Sequence, residues 1–210
     1  GGFLLEHSSA IIKLNEDGSA VLTVSPCEMG QGILCALSQI AADSIGINYE
    51  DVQVVTGDTD VTLFDIGSHA SRSTLVIGNA VVDAGNKIKD ILLKSAAEKL
   101  QKKGVEELEV SNGKVFVKGS PDNFVGVKEI AFDAIYNYSD SGAHISATGS
   151  YLSQSHNPSF QAGFAEVEVD TDTGQVNVLR IVLAHDIGKA INPLQVEGQL
   201  EGGAAQAVGL

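Results

Sequence analysis

The chain has 210 residues, with 13 Lys and Arg against 27 Asp and Glu, a formal net charge of −14. Both halves are net negative, so neither carries the basic stripe that neutralises nucleic-acid phosphates. A hydrophobic fraction of 43% with 19% charged residues describes a globular core and excludes disorder, while no apolar run reaches the ~20 residues of a membrane span.

Alternating residues in 10–14 and 20–24, joined by Asn15-Glu16-Asp17-Gly18-Ser19, predict a β-hairpin, with Asp17-Gly18 supplying the positive-φ turn. Residues 33–44 are apolar at helical spacing and stop near Gly46; 51–55 reads as a strand. A long amphipathic helix is expected over 73–103, ended by Gly104 and interrupted near Gly78 and Gly85. Its Lys87, Lys89, Lys94, Lys99, Lys102 and Lys103 read as a solvated face and a C-terminal end where cations suit the helix dipole. A second hairpin joins 108–110 to 114–117 through Ser111-Asn112-Gly113, a short helix follows over 127–136, and 137–155 reads as a Ser/Gly-rich loop region. A third hairpin joins 165–170 to 176–180 at Asp172-Thr173-Gly174. A last helix starts at Leu194 or Val196, after Pro193, and its Gly202-Gly203-Ala204-Ala205 allows close backbone approach.

The first and third hairpins resemble each other. With one residue inserted at the turn, Ala10, Ile12 and Leu14 align with Ala165, Val167 and Val169, and each hairpin leads into a Gly/Gln-rich segment that opens a helix. This pattern suggests an internal hairpin–loop–helix repeat. Strands and helices mix without strict βαβ alternation, so the expected class is α+β: mixed sheets of β-hairpins with packed helices.

Three segments can carry chemistry. Glu28-Met29-Gly30-Gln31-Gly32 precedes a helix, where outward N–H groups and the helix dipole favour an anion, and the Gln31 amide suits a heterocyclic edge. Gly67-Ser68-His69-Ala70-Ser71-Arg72-Ser73-Thr74 opens another helix with hydroxyls and one of two arginines, a residue type suited to bidentate phosphate recognition. Gly198-Gln199-Leu200-Glu201-Gly202-Gly203-Ala204-Ala205-Gln206 again sets glutamines among small residues. The bland readings are a tight turn, a Ser/Thr cap with a surface arginine, and close helix packing. Together the three suggest walls of one site for a large, anionic, amide-rich cofactor.

Other features are weaker. Gly57-Asp58-Thr59-Asp60 lacks an EF-hand's liganding pattern and reads as a solvated strand end. Glu166, Glu168 and Asp170 share one strand face and read as its wet side; His185 and Asp186, being adjacent, should point to opposite faces. Cys27 and Cys35 form no CxxC, and the five histidines have no zinc-site spacing, so a reducing cytoplasm is the expected compartment. The chain's only methionine is Met29, and residues 202–210 read as an unfinished small-residue run. The sequence is therefore expected to be a piece of a longer protein.

In order along the chain, these segments resemble the molybdenum-binding large subunit of the xanthine dehydrogenase/aldehyde oxidase family, the molybdenum hydroxylases. The resemblance runs through Asp17-Gly18-Ser19, Glu28-Met29-Gly30-Gln31-Gly32, Gln39-Ile40-Ala41-Ala42-Asp43, Val54-Val55-Thr56-Gly57-Asp58-Thr59-Asp60 and Ala70-Ser71-Arg72-Ser73-Thr74. It continues through Gly78-Asn79-Ala80-Val81, Glu166-Val167-Glu168-Val169-Asp170, His185-Asp186-Ile187-Gly188, Asn192-Pro193, Gly198-Gln199, Gly202-Gly203 and Gln206. One departure is Ala207, where the family usually has Gly.

The resemblance implies that 1–210 is a fragment of the molybdopterin-binding region, with sub-units over 1–125 and 126–210. It implies cofactor contacts at Gly30, Gln31 and Gly32, at Ala70, Ser71, Arg72, Ser73 and Thr74, and at Gln206. The cofactor is expected as molybdopterin, in its cytosine dinucleotide form, holding the molybdenum without a protein ligand. The implied reaction is oxidative hydroxylation of an N-heterocycle or aldehyde with water, its glutamate base lying beyond Leu210. Implied partners are the remaining large-subunit segments, a small-molecule substrate, and iron–sulfur and flavin (FAD) subunits, because two cysteines cannot hold a [2Fe–2S] cluster. Two rivals stand beside this reading. One is a non-catalytic folded module, inactive without its partner segments. The other is a generic nucleotide-phosphate enzyme, which predicts a Walker-type lysine that Gln31 lacks beside it.

Overall fold

The computed structural model describes residues 6–137, 144–153 and 158–209. The chain divides into two compact units, Gly1–Gln154 and Ser155–Leu210.

In the first unit, β1 (Glu6–Leu14) returns as β2 (Ala20–Thr23) with Leu14 opposite Ala20, as the alternation predicts. The turn is built by side chains: Asp17 accepts from the Ser19 N–H (2.9 Å), and the Asn15 amide donates to the Ser19 hydroxyl (2.9 Å). Helix α1 (Ile33–Ile45) ends at left-handed Gly46, whose N–H bonds the Ala42 carbonyl, and the chain then runs into β3 (Val52–Val55), parallel to β2. Helix α2 (Ser73–Lys99) follows, then the antiparallel strands β4 (Leu108–Ser111), β5 (Lys114–Val117) and β6 (Ser120–Gly126) in that order. Helix α3 (Val127–Tyr136) occupies the predicted residues, and β7 (Ser146–Ser153) completes a four-stranded sheet of order β3-β2-β1-β7. Helix α2 packs on β1 and β7 with α1 beside it, around fully buried Ile12, Leu14, Leu22, Leu37, Ile77 and Ile88. Burying each such side chain contributes about 1.5–3 kcal/mol. The class is α+β.

Three expectations change. Gly78 and Gly85 do not interrupt α2. A Cβ on Gly85 would stand 1.8 Å from the Ser44 hydroxyl oxygen, and one on Gly78 3.1 Å from Ile40 Cδ1, so these glycines let α1 approach closely. The helix also stops at Lys99, before Gly104, through Leu100, Gln101 and Lys102 bonded back to the Ala96, Glu98 and Ala97 carbonyls. Within the expected loop 137–155, eight residues form β7, paired with β1 from Glu6↔Ser153 to Lys13↔Ser146; residues 138–143 and 154–155 lie outside the described residues. Its Ser/Gly/Thr composition hides the strand, because its identity comes from the partner β1 and from the backbone of α2 above it. Strand β6, polar and opened by Ser120-Pro121, carries no sequence signal of its own.

The lysines of α2 do more than solvate a face. Lys87 Nζ donates to Asp83 (2.8 Å) and to the Thr148 carbonyl (2.9 Å), while Asp83 accepts the Ser150 N–H (3.0 Å). These bonds satisfy part of the otherwise open edge of β7. Lys99 joins α2 to α3 through Glu129 and Asp133.

The second unit consists of β8 (Phe160–Val169), β9 (Val176–Asp186) and α4 (Pro193–Val208), the strands pairing antiparallel with a bulge at Glu166/Val167. The boundary falls at 154/155 rather than 125/126 because α3 packs on α2 and β7 pairs with β1. Both units carry the order hairpin, loop, helix. In α4 the Asn192 side chain accepts from Gln195 N (3.2 Å) and Pro193 opens the helix. No helix among the described residues is long and apolar enough to cross a membrane.

Candidate functional site

The loop from β2 to α1 is shaped by its own acid. Gly30 and Gly32 take left-handed φ of 90° and 80°, turning successive N–H groups inward. The Glu28 carboxylate fills the resulting nest: Oε1 accepts from Gly30 N (2.8 Å) and Gly32 N (3.0 Å), and Oε2 accepts from Leu34 N (3.2 Å). Burial acts on this carboxyl in the upward direction, but the amides of Gly32, Leu34, Gly30 and Met29 outweigh it and hold Glu28 below its ordinary value. The Gln31 amide folds onto the same loop, accepting from Met29 N (2.5 Å) and donating to the Cys27 carbonyl (2.9 Å). The anion that the Gly-rich start of α1 attracts is thus the protein's own Glu28. Gly30 remains exposed, with open space where a Cβ would stand.

The loop into α2 has the opposite arrangement. Ala70 and Ser71 both adopt left-handed φ, 47° and 56°, costly for non-glycine residues. Both are exposed, as is Thr74, while Ser73 is half-buried. No side chain caps the start of α2, so its first N–H groups keep their donor capacity and the dipole adds positive potential. Ser68 Oγ is buried without a hydrogen-bond partner.

Arg72 breaks the expected pattern. It is 5% exposed, and its guanidinium faces inward. Nε donates to Glu6; Nη1 donates to Asp65 (3.1 and 3.0 Å to the two oxygens) and to the Gly67 carbonyl (3.0 Å); Nη2 donates to the His7 carbonyl (3.0 Å). All three nitrogens are committed within the protein, so the arginine that the sequence offered for phosphate recognition is here a buried tie between β1 and the loop. Sequence reasoning passed over its partners Glu6 and Asp65. Asp65, two residues before Gly67, offered a faint signal, since its carboxylate also accepts the Gly67 N–H (2.7 Å); Glu6 offered none.

Gln206 lies exposed in the last turn of α4. His185 and Asp186 end β9, and the Nε2 of His185 is buried without a partner. His156 lies outside the described residues. Among the described residues no three His, Cys, Asp or Glu converge on one point.

A family model, "Molybdopterin cofactor-binding domain", matches residues 2–210. The chain is 32% identical over 206 residues to the xanthine dehydrogenase molybdenum-binding subunit of Escherichia coli O157:H7, covering 98% of this chain and 27% of that protein. It is 33% identical over 203 residues to the carbon monoxide dehydrogenase large chain of Afipia carboxidovorans, covering 95% of this chain and 25% of that one. The crystal structure of quinoline 2-oxidoreductase from Pseudomonas putida 86 superposes with a TM-score of 0.89 at 31% identity, over 97% of this chain and 26% of that chain. The chain thus spans about a quarter of the length of the curated relatives it matches. With this coverage the sequence resemblance is established: the chain belongs to the molybdopterin cofactor-binding domain family of the molybdenum hydroxylases.

Proposed function

We propose that the chain is the cofactor-gripping part of a molybdenum hydroxylase that oxidatively hydroxylates an N-heterocycle or an aldehyde with water. The observation that carries this reading is the start of α2, which has no side-chain cap and follows the exposed left-handed Ala70-Ser71 turn. Its donors fit an anionic, heteroatom-rich group: uncommitted main-chain N–H groups, the hydroxyls of Ser71, Ser73 and Thr74, and the orphaned Ser68 Oγ. When bound, molybdopterin supplies the metal and its two-electron redox chemistry.

The chain's own contribution is to bind and orient. The first turn of α2 places hydrogen-bond donors and a positive dipole end against negative charge. Ala70 offers a surface with little bulk, and Gly30 offers open backbone. Gly32 and Gln31 complete the first loop, Gln31 by releasing its amide from Cys27 and Met29. Gln206 adds an amide on the pterin side. The glutamate base is assigned to a segment outside these residues.

The cofactor is proposed in its cytosine dinucleotide form, with iron–sulfur clusters and FAD on partner subunits, in a cytoplasmic enzyme. The isolated chain is proposed to be inactive. The second unit supports this, since by itself it offers a two-stranded sheet, and such a sheet is marginal in water. The remaining large-subunit segments are proposed to complete its packing.

The test is to quantify molybdenum, pterin fluorescence and released cytidine monophosphate in the complete enzyme containing this chain. One equivalent of each per large subunit is expected, falling at least five-fold in Ser73→Ala/Thr74→Val. A complete enzyme without pterin would leave the chain a non-catalytic module. Turnover by the isolated chain would refute the need for further segments.

A further inference from the structure

We propose that Arg72 is a positioning residue for the cofactor loop, acting through Asp65 and Glu6 and touching no part of the cofactor itself. This rests on the reading that 67–74 faces molybdopterin. Three chain segments meet on one guanidinium. From β1 come the Glu6 carboxylate and the His7 carbonyl; from the segment before the loop comes Asp65; from the loop itself comes the Gly67 carbonyl. The side chains are 4%, 15% and 1% exposed for Arg72, Glu6 and Asp65, so water does not substitute for these bonds.

What the tie holds is the strained element. Between Gly67 and Arg72 the chain must pass through left-handed Ala70 and Ser71, and among the described residues one backbone bond closes that turn, Arg72 N to His69 O at 3.1 Å. A turn of two non-glycine left-handed residues is strained and persists only when its surroundings over-determine it. Arg72 fixes both ends: its side chain grips the Gly67 carbonyl and its backbone starts α2, with the Val76 N–H bonded to the Arg72 carbonyl (2.9 Å). Asp65 braces the preceding peptide by accepting the Gly67 N–H (2.7 Å), so both peptides flanking Gly67 are held. A planar five-donor fork can serve four acceptor groups at once; an ammonium with three donors on a flexible stem cannot. The arginine is therefore specified by the shape it imposes on Ala70 and Ser71.

The experiment uses the complete enzyme with Arg72→Lys, Asp65→Asn and the double variant. The cluster of Glu6, Asp65 and Arg72 sums to one negative charge. Asp65→Asn makes it neutral, so this variant is expected to fold even where Arg72→Lys does not. The readouts are cofactor dissociation rate well below the unfolding midpoint, the midpoint itself, and hydrogen exchange of amides 66–75 with and without cofactor. Each single variant is expected to speed cofactor loss at least ten-fold and to speed exchange in 66–75, leaving exchange in β2 and β3 unchanged. The double variant should be within two-fold of the worse single one.

A double variant whose loss is the product of the two singles would place Arg72 in direct contact with the cofactor and overturn the proposal. So would single variants that lower only the unfolding midpoint while the dissociation rate stays unchanged. The underlying reading fails differently: the cofactor would then give amides 66–75 no protection in the unaltered enzyme.

Discussion

Replacing Gly149 by alanine tests how β7 meets α2. The added Cβ would lie 2.1 Å from the Ala80 carbonyl oxygen, 2.4 Å from Ala84 N and 3.0 Å from Ala84 Cα. All three are backbone atoms, so no rotamer relieves the contact. Ordinary contact begins near 3.4 Å, which asks strand and helix to separate by about 1.3 Å. Strand β7 cannot yield alone, because eight register pairs hold it to β1. Separation also stretches Ser150 N–H to Asp83 (3.0 Å) and Lys87 to the Thr148 carbonyl (2.9 Å). Overpacking costs about 1–3 kcal/mol, and the two stretched bonds, partly exposed, add about 1 kcal/mol together. With a urea m-value of about 2 kcal/mol/M, a loss of about 2–4 kcal/mol lowers the midpoint by roughly 1–2 M. Equilibrium urea unfolding followed by circular dichroism measures it. Gly30→Ala is the control: it takes a left-handed φ of 90° with nothing within 4 Å, and should cost only about 1 kcal/mol of backbone strain. A Gly149→Ala midpoint within about 0.3 M of the unaltered chain would refute the close approach.

Gly85→Ala should destabilise by about 1–3 kcal/mol through Ser44, and Ser44→Gly should recover part of that loss in thermal unfolding of the double variant. Glu28→Gln should loosen the nest and raise hydrogen exchange at Gly30 and Gly32. Because the folded Glu28 titrates below its ordinary 4.5, its stabilisation is present above that value and disappears as pH falls through the lower folded one. The stability gap between the unaltered chain and Glu28→Gln should therefore be flat above pH 4.5 and close below it; a gap that persists in acid would contradict the nest. For Lys99 the sign reverses: its hydrogen bond to Asp133 and then Glu129 raise it above 10.5, so its contribution holds below that value and is lost as pH rises through the folded one. Lys99→Gln should accordingly be less stable than the unaltered chain at neutral pH and converge with it in strong alkali.

The elements whose pattern is local were legible. The Asp17-Gly18 and Asn112-Gly113 turns, the apolar spacing of α1 and the bounds of α3 all follow from residues within one turn of each other. Strand β7 was not legible, since Ser146, Thr148 and Ser150 become a strand only because β1 lies beside them. Gly78 and Gly85 illustrate the same limit from the other side. In isolation a glycine weakens a helix; in this fold each stands where another helix presses closest. For the site, the Gly-rich loops were visible, but the direction in which Arg72 points depends on Glu6 and Asp65, one of them 66 residues away.

The two loops of the first unit follow one electrostatic logic. Each contains a charged residue, Glu28 or Arg72, and in each the fold consumes that charge. Glu28 satisfies the amides at α1; Arg72 satisfies two carboxylates and two carbonyls behind α2. Besides His69, the surface of the α2 loop offers peptide N–H groups, hydroxyls and the small side chain of Ala70. In a chain of net charge −14 with two arginines, a long-range positive field is not available to capture an anionic cofactor. On the proposed reading the cofactor is held by short-range donors whose geometry is set in advance. The charged residues matter for the precision of that geometry, since a misplaced donor in such a loop loses its hydrogen bond without any surrounding field to compensate.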